Sequence, residues 1–187
     1  MPADIRLDAE AVKVLAHPLR SRLLTALRRD GPATATELAS RLDTNTGATS
    51  YHLRKLESVG LVEDTGEGEG KRREWRAASR SHSWAASDFA GDEDAETSLG
   101  WLTRDYVRSA GERMLQWLDA EHSWPQDWRD AMGSSDDVVI VTPAQADTLL
   151  DELLAVLERY RTVGEGDPDA RLVSLWLMMH PVDTQHG

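Results

Sequence analysis

Apolar residues in the first 60 positions recur at intervals of three and four, the period of amphipathic helices. Asp8 can cap a first helix, and a second helix begins at Pro18 and stops at Gly31-Pro32. Thr34 and Glu37 have the spacing of a capping box, which marks the start of a third, short helix. The pattern therefore predicts three helices before position 43.

A fourth helix is predicted over Thr46–Val59, after a turn at Asp43-Thr44 and an N-cap at Asn45. Its inward side carries side chains four and three residues apart, namely Thr49, Leu53 and Leu56. Its outward side is polar, and hydroxyl, phenol and guanidinium groups can hydrogen-bond DNA bases or phosphates. We expect the base-facing residues to be Thr46, Gly47, Ser50, Tyr51 and Arg54. A solvated surface helix with no partner fits the same pattern.

A strand, a glycine-rich loop and a basic strand follow the fourth helix. The strands are predicted at Leu61–Asp64 and Lys71–Ala77, and the loop between them is TGEGEG. This order is that of a winged helix-turn-helix, in which the base of the wing reaches phosphates beside the groove. We expect phosphate contacts from Thr36, Lys55, Lys71, Arg72 and Arg73. Glu67 and Glu69 would be repelled by phosphates, so we expect the tip to stay off the backbone.

Residues 81–97 are rich in Ser, Ala and acidic residues and are predicted to be a linker with a short helix near Trp84–Phe89. A long helix is then predicted from Thr97 or Ser98 to about Ala120. Its apolar stripe needs a partner, either the chain's own C-terminal layer or a second subunit. The residues expected to mediate dimerisation are Leu99, Leu102, Tyr106, Met114 and Trp117.

The remaining elements are predicted to be a short helix after Trp124, strands at Val138–Thr142 and Ala170–Met179, and a helix over Pro143–Tyr160. The fold class is therefore mainly α with a small β component (α+β). It comprises a winged helix-turn-helix domain at 1–80 and a helical dimerisation domain at 98–187 with a two-stranded β element.

Six of the seven tryptophans lie after position 80. The candidates for an apolar ligand pocket are Trp101, Trp117, Trp128 and Trp176. Packing in a core or a dimer interface is the favoured explanation of tryptophans at these positions.

Charge divides the chain into two unequal parts. The net charge is −12, but residues 1–80 hold 14 Lys and Arg against 12 Asp and Glu, whereas the rest carries −14. This asymmetry indicates two different surfaces, only the first of which suits nucleic acid. It is equally typical of two solvated surfaces without partners.

Residues 11–77 resemble the ArsR-type family of winged-helix bacterial transcriptional regulators. The resemblance rests on LAHPLR, ATELASRL, SYHLRKL, GLV and REWR. It implies a cytoplasmic homodimer that binds a palindromic operator in double-stranded DNA through Thr46–Val59. It also implies a repressor that responds to a signal, here a candidate small-molecule effector. The alternative is a winged-helix protein-interaction module that binds no DNA.

Several kinds of chemistry are not expected. The chain has no cysteine, which excludes a thiolate metal sensor. His180, Asp183 and His186 have ligand-like spacing, but Pro181 argues against the helix that would align them, so we expect no metal and no cofactor. No phosphate-binding loop or nucleophile elbow is present, so we do not expect an enzyme. No signal peptide and no membrane span are predicted.

Two histidines have open roles. His17 lies at a helix junction, where a packing or capping role is favoured. His52 lies on the fourth helix and could donate to a phosphate or pack against the preceding helix, and the sequence favours packing.

Overall fold

The structure is a computed structural model that describes residues 4–68, 70, 72–133 and 135–182. Two compact units divide the chain, Met1–Leu115 and Gln116–Gly187. Among the described residues, no helix combines the length and apolar composition that crossing a bilayer would require. The mainly helical α+β class predicted from the sequence is confirmed.

Four short helices open the first unit: α1 (Ala9–Leu15), α2 (Pro18–Asp30), α3 (Ala35–Arg41) and α4 (Thr46–Glu57). Each begins at the cap that the sequence predicted. Asp8 Oδ1 accepts from Ala11 N at 2.8 Å, and Thr34 and Glu37 form the reciprocal capping box. α4 ends two residues earlier than predicted, because Gly60 with φ 70° turns the chain into the next strand.

Two small sheets complete the first unit. β1 (Asp4–Arg6) pairs in parallel with β5 (Ser81–Ser83). β2 (Ala33–Thr34), β4 (Glu74–Ala77) and β3 (Val62–Asp64) form an antiparallel sheet in the order β2-β4-β3. The hairpin β3–β4 is the predicted wing. Side chains alternate along β4, since Trp75 and Ala77 are buried and Arg76 is exposed.

A continuous leucine-rich core holds the four helices against the sheet. Its members come from α1 to α4 and from the strands β2, β3 and β4, and Phe89, Ala95 and Leu102 add a further layer. Burying one leucine stabilises the fold by roughly 1.5–3 kcal/mol. Leu53 and Leu56 are fully buried in this core, so α4 is fixed by its inward side alone.

α5 (Glu93–Ala120) begins earlier than predicted. The segment 81–97 contains β5, a 3₁₀ helix at Ala86–Phe89 and the first turn of α5. The boundary between the compact units falls at Leu115 and Gln116, whereas the sequence placed a linker at 81–97. The division into a DNA-binding part at 1–80 and a dimerisation part at 98–187 stays a prediction.

The described part of the second unit contains the end of α5, a 3₁₀ helix at Glu121–Ser123, α6 (Gln126–Ala131) and α7 (Pro143–Tyr160). α7 spans the predicted residues, and a capping box with Thr142 as N-cap and Gln145 at its third position marks its start. The strands predicted at Val138–Thr142 and Ala170–Met179 are wrong, because neither segment is a strand in the described part of the chain.

The reason is that an apolar run forms a strand only when it finds a hydrogen-bonding partner. Ile140 is fully exposed, and Leu172 is 77% exposed. None of the described residues between 116 and 182 is buried. This unit therefore presents its apolar residues at its surface.

Candidate nucleic-acid interface

α4 presents a polar face to solvent and is anchored by the opposite face. Thr49 is buried, and its Oγ1 donates to Asn45 O at 3.0 Å. On the outward face, Thr46, Gly47, Tyr51 and Arg54 are exposed, and Ser50 is half-buried. Each residue predicted to face bases thus lies on a side that DNA could reach.

The turn before α4 is held in place by backbone contacts. Asp43 adopts φ 51°, and Thr44 N donates to Ala39 O at 2.9 Å. Arg22 of α2 also donates from Nη2 to Leu42 O at 3.1 Å. These bonds fix the direction in which α4 leaves α3.

Gly47 has a local reason to be small. A Cβ at this position would lie 3.3 Å from Oδ1 of Asn45, the atom that caps α4 by accepting from Ala48 N at 2.8 Å. Gly47 is one of the residues predicted to face DNA bases. Room for the cap is a reason for glycine at this position that holds in the free protein.

The basic residues at the base of the wing are not equivalent. Arg73 forms ion pairs with Asp64 at 3.3 Å and Glu57 at 3.6 Å, and its guanidinium lies 5.7 Å from the centroid of Trp75. Arg72 is exposed and forms no ion pair with another described residue. Arg72 is therefore the more available of the two for phosphate.

The other residues predicted to contact phosphate are Lys55, Thr36 and Lys71. Lys55 is exposed, with Nζ 6.0 Å from the ring centroid of Tyr51. Thr36 is exposed in the first turn of α3. Lys71 and the wing-tip Glu69 lie outside the described residues, whereas Glu67 is exposed.

A pair of histidines lies where α2 meets α4. The rings of His17 and His52 are 4.4 Å apart between centroids, and the ring of Tyr51 lies 5.1 Å from that of His52. Nδ1 of His17 accepts from Leu19 N at 3.2 Å, which confirms the capping role predicted for His17. Arg20, which the sequence did not single out, acts electrostatically on both rings.

The predicted dimerisation residues differ in how far they are buried. Leu102 is fully buried in the chain's own core, and Leu99 packs against that core. Tyr106 Oη lies 2.8 Å from His82 Nε2. Met114 is 45% exposed. Leu102 is therefore unavailable to a second copy, because its side chain already fills its own core.

Of the tryptophans predicted to line a ligand pocket, Trp101 packs against the core of the first unit. In the second unit, Trp117 and Trp128 each lie edge-on to Trp124, with centroids 5.4 and 6.3 Å away. Trp176 is 52% exposed. An open groove of about 630 Å³ occurs in the first unit. Its lining contains no tryptophan and consists of Ala86, Ala90, Glu96, Leu99, Gly100, Thr103 and Arg104.

No group of three or more His, Asp or Glu side chains that could hold a metal ion occurs among the described residues. Of the predicted C-terminal trio, His180 is described and exposed. Asp183 and His186 lie outside the described residues.

A family model matches residues 15–65, about a quarter of the chain. Its description is a helix-turn-helix domain. The match covers α2, α3, α4 and β3, the elements that carry the exposed polar face and its supports. It supports a DNA-binding regulator of the helix-turn-helix class and a regulatory role in place of catalysis. No curated protein matches the chain.

Proposed function

We propose that this protein is a transcriptional regulator of the ArsR type that binds double-stranded DNA through α4. The observation that carries the proposal is the two-sidedness of this helix. Its inward side is buried at Thr49, Leu53 and Leu56, whereas its outward side exposes Tyr51 and Arg54 to solvent. Arg and Tyr at such positions can hydrogen-bond base edges or phosphates in the major groove.

The protein acts as a homodimer on a palindromic operator in this proposal. Two copies related by a two-fold axis place their α4 helices in successive major grooves, about 34 Å apart along one face of the duplex. The exposed C-terminal half of α5, including Met114, is the favoured contact between copies. The acidic charge of residues 81–187 keeps this part away from DNA.

Regulation by a small molecule is a further part of the proposal. Binding of an effector in the C-terminal part would change DNA affinity and relieve repression in the cytoplasm. The apolar surface around Trp117, Trp124 and Trp128 is the candidate location, because these rings contact each other without being buried. Tryptophan fluorescence across a panel of metabolites tests this part, and a flat response to all of them counts against it.

DNA binding itself is tested with a fluorescent duplex from the upstream region of the protein's own gene. Arg54→Ala should weaken binding by about tenfold, because one good base contact contributes roughly 1–3 kcal/mol. Arg129→Ala is the matched control, since it removes the same charge from an exposed position on α6 in the second unit. Equal affinities of the two variants would show that α4 is not the DNA-binding helix.

A protein-interaction module remains the second candidate. It is favoured by Glu67, which is exposed in the loop of the wing where a phosphate would repel it. If the wild-type protein binds no duplex at moderate salt, this alternative replaces the first proposal.

A further inference from the structure

Three side chains that carry nitrogen lie where the start of α2 contacts α4. His17 is the N-cap of α2, Arg20 lies in the first turn of the same helix, and His52 lies on α4. The two imidazole centroids are 4.4 Å apart. Two buried side-chain nitrogens in the described part of the chain have no hydrogen-bond partner, Nε of Arg20 and Nδ1 of His52. This junction therefore contains polar atoms that form no hydrogen bond within the described part of the chain.

A hydrogen bond fixes which ring nitrogen of His17 carries the proton, and burial indicates which one does so in His52. Nδ1 of His17 accepts from Leu19 N, so the neutral ring carries its proton on Nε2. Nδ1 of His52 is buried without an acceptor, and an orphaned buried N–H is rarer than an orphaned acceptor. His52 therefore also carries its proton on Nε2. Both rings then offer an Nε2–H donor that no other described residue accepts.

Charge at this junction is not balanced. Arg20 forms no ion pair in the part of the chain that the structure describes, and the first turn of α2 contains no acidic residue. That turn is also the positive end of a 13-residue helix dipole. Burial is the first cause that lowers the pKa of His17 and of His52, and the positive charge of Arg20 lowers both further. His17 adds to the effect on His52. An anion at this point would offset the electrostatic repulsion among Arg20, His17 and His52.

The junction lies beside the proposed DNA-binding face. The ring of Tyr51, which is 56% exposed on that face, is 5.1 Å from the ring of His52. Arg20 is close enough to Tyr51 for the two groups to interact electrostatically. An anion held by the three side chains would therefore sit at the edge of a groove occupied by α4.

We propose that His17, Arg20 and His52 form a phosphate-binding site that holds one backbone phosphate of DNA next to α4. The guanidinium supplies the charge, and the two Nε2–H groups supply directed hydrogen bonds. This site rests on the proposed function, and it adds a contact from α2 that neither the wing nor α4 alone provides. A free phosphate has the same chemistry, so the experiment must separate the two sources.

Histidine NMR on the full-length wild-type protein tests the site without any variant. In the complex with a random-sequence duplex, the pKa values of both His17 and His52 should rise by at least about 1, because a nearby negative charge favours the protonated ring. His82 is the internal control, since it lies in a separate buried network. Binding of the duplex with no change at either ring would overturn the site.

The salt dependence of duplex binding provides the second measurement. Arg20→Gln should reduce the slope of log K against log salt by about 0.9, the effect of losing one phosphate contact. Arg29→Gln is the matched control on the same helix, because the charge of Arg29 is already paired with Asp30 at 2.6 Å. An unchanged slope for a folded Arg20→Gln protein would overturn the site. If this variant does not fold, the NMR measurement on the wild-type protein decides whether the site exists.

Two further outcomes separate the sources and the two proposals. If inorganic phosphate moves the rings of His17 and His52 and the duplex does not, the site belongs to free phosphate and the DNA assignment is overturned. A wild-type protein that binds no duplex overturns the proposed function and this site together. A wild-type protein that binds while Arg20→Gln behaves like Arg29→Gln overturns the site alone.

Discussion

Arg28 of α2 donates from Nη1 to Nδ1 of His82 on β5 across 2.6 Å. This bond requires Nδ1 to be unprotonated, so the neutral ring carries its proton on Nε2 and donates it to Tyr106 Oη at 2.8 Å. Arg28 also donates from Nε to Ser79 O at 3.0 Å. The network joins the helix that supports α4 to α5, and it does so only while His82 is neutral.

Lowering the pH should destabilise the folded protein because of this histidine. Burial and then the charge of Arg28 lower the pKa of His82 to about 3, with a smaller opposing effect of Asp4. The unfolded chain takes up this proton near pH 6.5 and the folded chain does not. The free energy of unfolding should therefore decrease by up to about 1.4 kcal/mol per pH unit as pH falls from 6.5 towards 3. Urea unfolding at a series of pH values measures the slope.

His82→Gln is the control for that slope, because an amide can accept from Arg28 and donate to Tyr106 without titrating. The variant should lose a large part of the slope between pH 6.5 and 4.5, and the slope that remains comes from His17 and His52, whose pKa values burial also lowers. That window lies above the range where Asp88 and Asp92 take up protons, since their ion pairs lower both pKa values. A variant as acid-sensitive as the wild type would show that His82 does not control the acid response.

Removing the phenol oxygen should destabilise the first unit. In Tyr106→Phe, the Nε2–H of His82 loses its acceptor, which costs about 1–3 kcal/mol for a buried polar group. Tyr51→Phe removes the same atom from an exposed ring and should change the free energy of unfolding by less than about 0.5 kcal/mol. Urea unfolding at pH 7 measures both, and equal effects would contradict the hydrogen-bond network.

Helices α1 to α4 could be predicted because their signals are local. Thr34 and Glu37 are three residues apart, and both hydrogen bonds of their capping box are present. The partners of Arg28 and Arg73 could not be predicted in this way, because no periodicity links them to residues far away in the chain. The strand predicted at Val138–Thr142 was wrong for a different reason. An apolar run indicates a strand but does not show whether a partner strand exists.

The two arginines of the wing should differ in DNA binding. Arg72→Gln should lower the slope of log K against log salt by about 0.9, because an unpaired guanidinium can replace a counterion at a phosphate. Arg73→Gln should change the slope less, since Asp64 and Glu57 already compete for its charge. Fluorescence anisotropy between about 50 and 200 mM salt measures the slopes. Arg76→Gln, which loses only the pair with Glu63, is the control, and a larger effect of Arg73 than of Arg72 would refute the assignment.

Leu102 and Met114 lie on the same helix but should affect different properties. Leu102→Ala opens a cavity in the core of the first unit and should lower the free energy of unfolding by about 2–5 kcal/mol. Met114→Lys places a charge on an exposed position, so it should leave the folded chain intact and halve the mass measured by light scattering if α5 joins two copies. Unfolding at two protein concentrations separates folding from association, because only association depends on concentration. A dimer that survives Met114→Lys but dissociates in Leu102→Ala without loss of helix would place the interface on the opposite side of α5.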